Sequence, residues 1–251
     1  MSFPQIFARY AKAYRAAFAD PTDAMARIAV KNHSNAMHNP LAQMHRPLDL
    51  DFCLSVSERN PMIADPLKLS DCSLISDGAA AVVLVNADMI GDFRRAVGFR
   101  SVVHVNDLLP LSSKTLEAFE GPREAFARAY LAGGVSVSDI QLAEVHDCFT
   151  IAELLVTEAM GLAKPGQGPA LVREGQTERG GRLPINLSGG LKAKGHPVGA
   201  TGVSMHVMMA RQLTGEAGEM QLGGEPSLGM CFNMGGGAVA NCVSILETIK
   251  A

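Results

Sequence analysis

The chain has 251 residues, 47% hydrophobic and 19% charged, which is enough apolar material to bury the core of one large or two small domains. Its 22 basic and 25 acidic side chains leave a formal charge of -3, and no Lys/Arg-rich run tracks a phosphate backbone, so nucleic acid is excluded as an expected partner. No stretch approaches the roughly 18 apolar residues that cross a bilayer, and charges run through the first turns of sequence, so the expectation is a cytoplasmic protein with no membrane partner.

In chain order, Phe3, Phe7, Tyr10, Tyr14 and Phe18 recur at helical spacing and predict an amphipathic first helix. Thr22 or Asp23 is the candidate N-cap of a second helix, which must stop before Pro40. From there to "ERNPMIADPLKLSDC", prolines and polar residues describe a long loop-rich segment of the kind that lies at the surface and carries function. Ala81 to Val85 have the small and β-branched composition of a strand buried on both faces, and "FRSVVHV" is a second strand. "EGPREAFARAYLAGG" reads as a helix with Pro122 in its first turn and Gly133 and Gly134 at its end. A strand over "LAEV" follows, then a turn at "HDCF" and a helix from about Thr150 to Met160, ended by Gly161. "GATGVSMHVMMARQL" sets Val203, His206, Val207, Ala210 and Leu213 on one helical face. Two strands joined through glycines close the chain, and the alternation of strands with helices indicates an α/β fold around a largely buried mixed sheet.

The cysteines, Cys53, Cys72, Cys148, Cys231 and Cys242, are scattered and form no C-x-x-C pair, so neither disulfides nor a metal site is expected. Three short motifs fall where strands end, the place where α/β folds carry chemistry. They are His146-Asp147-Cys148-Phe149, Gly195-His196-Pro197 in a glycine-rich loop feeding a helix, and Asn233-Met234-Gly235-Gly236-Gly237 between the last two strands. Histidine exchanges protons near neutral pH, cysteine supplies a thiolate, and glycines let backbone N–H groups approach an oxyanion. Together these are parts for acyl transfer. Each alone has a plainer reading: a histidine after a strand is often a core residue, and a free cysteine is often simply buried.

"HDCFTIAELLVTEAMGL", "PINLSGGLKAKGHPVGATGVSMHV", "FNMGGGAVA", "AVKNHSNAMHNPLAQ" and "PLKLSDCSLISDGAAAVVLV" together resemble the thiolase superfamily. The branch resembled is the sterol-carrier-protein type and the archaeal or bacterial acetyl-CoA acetyltransferases, which carry H-D-C-F. The resemblance runs from about Phe3 to the end of the chain. It implies a layered αβαβα fold with a helical, coenzyme-covering loop domain over residues 1–65, a remnant of the N-terminal thiolase domain over 66–95 and a C-terminal thiolase domain over 96–251.

The same resemblance assigns roles. His196 would activate the nucleophilic cysteine and stabilise the enolate, His146 would polarise the substrate in an oxyanion hole, and Cys148 would move the proton at the α-carbon. Asn233-Met234-Gly235 falls where other thiolases have C-x-G, so the thiol is missing there and Gly235 N–H would serve a second oxyanion hole. Ser188, Gly189, Gly190, His33 and Asn39 are the expected contacts to coenzyme A thioesters, which act as substrates with no permanently bound cofactor. The family's nucleophilic cysteine has no counterpart among the cysteines here. A separate N-terminal thiolase subunit in a homo- or hetero-oligomer would supply it, for Claisen condensation or thiolysis of acyl-CoA. The alternatives are a nucleophile-less retro-aldol lyase working with an OB-fold and zinc-ribbon partner, and a non-catalytic coenzyme A-binding subunit.

Overall fold

Aromatic spacing at the start of the chain produces the expected helix. In the computed structural model, which describes residues 1–250, α1 (Phe3–Ala17) has Pro4 in its first turn and buries Phe7, Tyr10 and Tyr14. Phe3 and Phe18, at the ends of the stripe, remain exposed. α2 (Thr22–Ala36) starts one residue earlier than a Thr22 or Asp23 cap requires, because the Asp20 carboxylate accepts the Thr22 N–H at 3.0 Å. It ends well before Pro40.

The loop-rich segment holds one short helix, α3 (Leu50–Leu54), capped by Asp49, and a small antiparallel pair of β1 (Met62–Ala64) with β2 (Leu67–Lys68). The main sheet is built from β3 (Ala96–Asn106), β4 (Leu142–Val145), β5 (Leu228–Gly235) and β6 (Ala240–Lys250), in the spatial order β3-β6-β5-β4. β6 runs antiparallel to both β3 and β5, while β4 runs parallel to β5 and carries Ile185 on its far side through an isolated parallel bridge at Ala143.

Helices α4 (Glu120–Gly133), α5 (Thr150–Ala159), α6 (Gly168–Arg173) and α7 (Thr201–Leu213) complete the fold. Side chains alternate along a strand, so Phe232 and Gly229 of β5 point to opposite faces. Phe232 stacks near Phe126 of α4 with ring centroids 4.9 Å apart. Gly229 leaves room for Met209 of α7, whose sulfur would lie 2.1 Å from a Cβ at that position. The sheet is therefore sandwiched between α4 and α7. Phe7, Tyr10, Tyr14 and Met25 belong to the same core as Leu142, Phe232 and Val243, so residues 1–65 and 96–250 pack as one hydrophobic unit.

Two expectations fail, and they fail together. Ala81 to Val85 form no strand: residues 73–86 run without regular structure, and Val83 and Leu84 are 84% and 74% exposed. On α7 the face turned into the core is Met205, Met208, Met209, Gln212 and Leu213, with only Leu213 shared with the predicted face. Val203, His206, Val207 and Ala210 instead line a groove of about 910 Å³ whose opposite wall is Ala81 to Val85. A helix apolar on both sides is one that expects cover on both sides. Among the described residues no helix is long and apolar enough to cross a membrane, and no cluster of three or more His, Cys, Asp or Glu side chains is placed to hold a metal ion.

Candidate active site

The carboxyl end of β4 releases the chain into His146-Asp147-Cys148, and α5 begins directly after Phe149. Beside it, the π-helical turn Gly190–Lys194 leads into Gly195-His196-Pro197 and then α7. The fold brings the two histidines together: their rings meet edge to face, with centroids 5.1 Å apart. Asn233, on the last turn of β5 before the glycines, joins them, its Oδ1 lying 2.6 Å from His146 Nδ1. Gly235 is two residues further on the same strand and so shares Asn233's face, at the exposed end of the strand.

Hydrogen bonds fix the protonation pattern of His196. Its Nδ1 is 2.7 Å from Thr201 Oγ1, and that hydroxyl spends its proton on the Pro197 carbonyl at 2.9 Å. Nδ1 therefore carries the ring proton and Nε2 presents a free lone pair. The His196 main-chain N–H donates to Ser76 Oγ at 3.0 Å, and Ser76 in turn donates to Gln43 at 2.8 Å. Thr201, Ser76 and Gln43 were not singled out in the sequence. Thr201 had a signal, five residues after the motif histidine at the head of a helix; Ser76 and Gln43 lie within the family-like stretches, but nothing in those stretches marks them as partners of His196.

Electrostatics keep both imidazoles neutral. Burial pushes His146 down to about 4, against the opposing bond from Asn233 and with help from neighbouring His196. Burial, with Lys194 close by, also lowers His196. Cys148 is buried, and its thiol is pushed well above the ordinary range, first by burial and then by the adjacent Asp147 carboxyl. At neutral pH this thiol holds its proton.

The five residues expected to contact coenzyme A are all buried. Ser188, His33 and Asn39 are buried, and their polar atoms work inside the fold. Asn39 Nδ2 donates to the Ser188 carbonyl at 2.8 Å, Ser188 Oγ donates to the Glu144 carboxylate at 2.5 Å, and His33 Nδ1 lies 2.9 Å from the Arg46 carbonyl. Gly189 and Gly190 hold positive φ values of 97° and 59°. α2 packs directly over Gly189: a Cβ there would come within 2.7 Å of the Ala36 side chain.

Gly190 has the stricter requirement. A Cβ there would lie 2.3 Å from an Asp147 carboxylate oxygen, on a backbone that L side chains rarely adopt. Gly190→Ala is expected to cost about 3 kcal/mol or more of stability, since it combines strain with a buried clash. Urea denaturation of the variant beside the wild-type chain measures it directly.

The carboxyl ends of β4 and β5 thus gather two neutral imidazoles, the Asn233 carboxamide and a buried thiol, groups able to exchange protons and to donate hydrogen bonds. Residues 107–248 match the family model described as "Thiolase C-terminal domain-like", and the chain belongs to that family. An acetyl-CoA acetyltransferase of Methanothermobacter thermautotrophicus is 36% identical over 238 residues, covering 94% of this chain and 61% of that protein. Human sterol carrier protein 2 is 35% identical over 245 residues, covering 94% of this chain and 44% of that one. Among solved structures, the one described as "Ltp2-ChsH2(DUF35) aldolase" superposes with a TM-score of 0.85 at 22% identity, covering all of this chain and 65% of its own. The chain thus spans about half to two thirds of the length of the relatives it matches.

Proposed function

We propose that the chain is the proton-transfer and oxyanion-stabilising part of a thiolase-type acyltransferase, acting on coenzyme A thioesters with a nucleophilic cysteine brought by a separate N-terminal-type subunit. The observation that carries this reading is the neutral His146–His196 pair beside a buried, protonated thiol. The other cysteines, Cys53, Cys72, Cys231 and Cys242, are all pushed above the ordinary thiol range by burial, the opposite of an activated nucleophile. The apolar groove between Ala81–Val85 and α7 is the surface against which the second subunit would pack.

In this mechanism the free Nε2 of His196 takes the proton of the incoming thiol and then, as an N–H, donates to the oxygen where negative charge develops. Asn233 suits His146 in either tautomer, because a turn of its carboxamide offers Nδ1 an acceptor or a donor. With the donor presented, His146 Nε2–H faces the thioester oxygen. Cys148 gives its proton to the α-carbon of the departing enolate during thiolysis, and removes it in the reverse condensation. Gly235 N–H lies at the strand end where a second oxyanion hole is expected.

The 0.85 superposition on an aldolase complex supports a second reading, a retro-aldol lyase that cleaves an acyl-CoA side chain with a DUF35-type partner and forms no thioester on the enzyme. One experiment separates the two. The protein is purified untagged from its own source, its assembly is weighed by native mass spectrometry, and the assembly is assayed for thiolysis of acetoacetyl-CoA. A stoichiometric partner, turnover and an acyl group trapped on the partner's cysteine support the thiolase. Turnover of a β-hydroxyacyl-CoA with no trapped acyl group transfers the reading to the lyase.

A further inference from the structure

Asp147 stands between the two histidine loops. It follows His146 directly, is fully buried, and accepts three N–H groups. Leu191 N–H reaches one oxygen at 2.6 Å; Lys192 N–H at 3.2 Å and the Asn32 side-chain amide at 2.7 Å reach the other. Leu191 and Lys192 lie in the turn that runs straight into Gly195-His196. Gly190 is a glycine so that this carboxylate can approach the turn at all.

The placement is electrostatically costly. Glu153 of α5 shares the Asn32 amide at 2.7 Å, so two carboxylates flank one neutral donor while Lys31 of α2 pairs with Glu153. Burial, and then the charge of Glu153, hold the Asp147 carboxyl up to about 7. A residue that merely filled this space would be apolar, since a buried carboxylate without a purpose is replaced at little cost. Its bonds identify the purpose: both carboxylate oxygens are spent on main-chain groups of the loop that carries His196.

We propose that Asp147 is a positioning residue, an anionic clip that holds the main chain of Leu191 and Lys192 and thereby sets the distance and angle between His146 and His196. The functional half of this proposal rests on reading those histidines as the reacting pair; the clip itself is measurable without turnover. The charged and titratable groups facing it are Glu153 from α5, Lys31 from α2, Lys192 from the turn and Cys148 next along the chain.

The first measurement uses the unaltered chain, by amide NMR between pH 5 and 9. Above neutrality the carboxylate is ionised and accepts both N–H groups; as pH falls through about 7 it gains a proton, which faces donors instead of acceptors and weakens the clip. The amide protons of Leu191 and Lys192 should shift together with one midpoint near neutrality, while Ser70 N–H, held at 2.8 Å by the non-titrating Asn60 side-chain oxygen, should not follow them. Asp147→Asn should abolish that shared titration and speed hydrogen exchange at Leu191 and Lys192 by about tenfold or more, leaving Ser70 protected. In the assembled enzyme the same variant should lower kcat by about 100-fold with little change in KM. Unchanged hydrogen exchange at Leu191 and Lys192 in Asp147→Asn overturns the clip. Lost protection with undiminished kcat overturns the positioning role, whereas an inactive wild-type assembly whose clip titrates as expected removes the reaction assigned to the site and leaves the clip standing.

Discussion

Removing the His196 side chain is expected to lower turnover of the assembled enzyme by about 10²–10³-fold, as when one oxyanion donor is lost. The size follows from its two duties. Thr201 and Pro197 spend the Nδ1 side of the ring, so all of the chemistry falls on Nε2, which takes a thiol proton in one step and donates to the oxyanion in the next. His196→Ala loses both, and no neighbour substitutes, because the mechanism already commits His146 Nε2–H to the thioester oxygen and Asn233 holds its Nδ1. His196→Asn should recover part of the loss, since an amide can donate to the oxyanion but cannot take up the proton. Both half-reactions should slow together, measured as exchange of label between coenzyme A and acetyl-CoA and as thiolysis of acetoacetyl-CoA.

Cys148→Ala should split those half-reactions. Label exchange needs only acyl transfer to the nucleophile and should continue at near its normal rate. Thiolysis needs a proton delivered at carbon and should fall by about 10²–10⁴-fold. The thiol is buried beside a strand end and alanine removes a single heavy atom, so the fold should hold, at a cost of about 1 kcal/mol. Equal loss in both assays would assign the thiol to packing, and normal thiolysis would take it out of the mechanism.

The motifs made the histidine pair legible in the sequence because each sits at the end of a periodic element: "LAEV" could only deliver His146 to the strand's carboxyl end, and the glycines before His196 could only be a loop. The four strands of the main sheet, α1, α4 and α5 were legible for the same reason, since period and punctuation agreed, whereas β1 and β2 lay within a segment legible only as loop. Ala81 to Val85 and α7 were misread because composition reports what a segment is suited to bury, and not whether a neighbour arrives to bury it. Asp147 was written in the motif but its task was not: its partners lie 115 and 44 residues away and two of them are main-chain groups, which carry no letter. The burial of Ser188 and Asn39 was not legible, because nothing in "NLSGG" or "MHNP" states that the two segments pack against each other.

The packing of α1 and α2 has a consequence for where this chain can be cut. Phe7 stacks on Phe149 with centroids 4.7 Å apart, Tyr10 hydroxyl reaches the Gly237 carbonyl at 2.9 Å, and Asn35 of α2 and Asn39 just beyond it donate to the Asn186 and Ser188 carbonyls. Each of the three chemical loops is thus moored to the first forty residues. A fragment trimmed to the family-matched residues 107–248 would contain every histidine, cysteine and asparagine assigned to the chemistry and lose these moorings to α1 and α2. The unit that carries this site is therefore larger than the recognisable domain, because it includes α1 and α2.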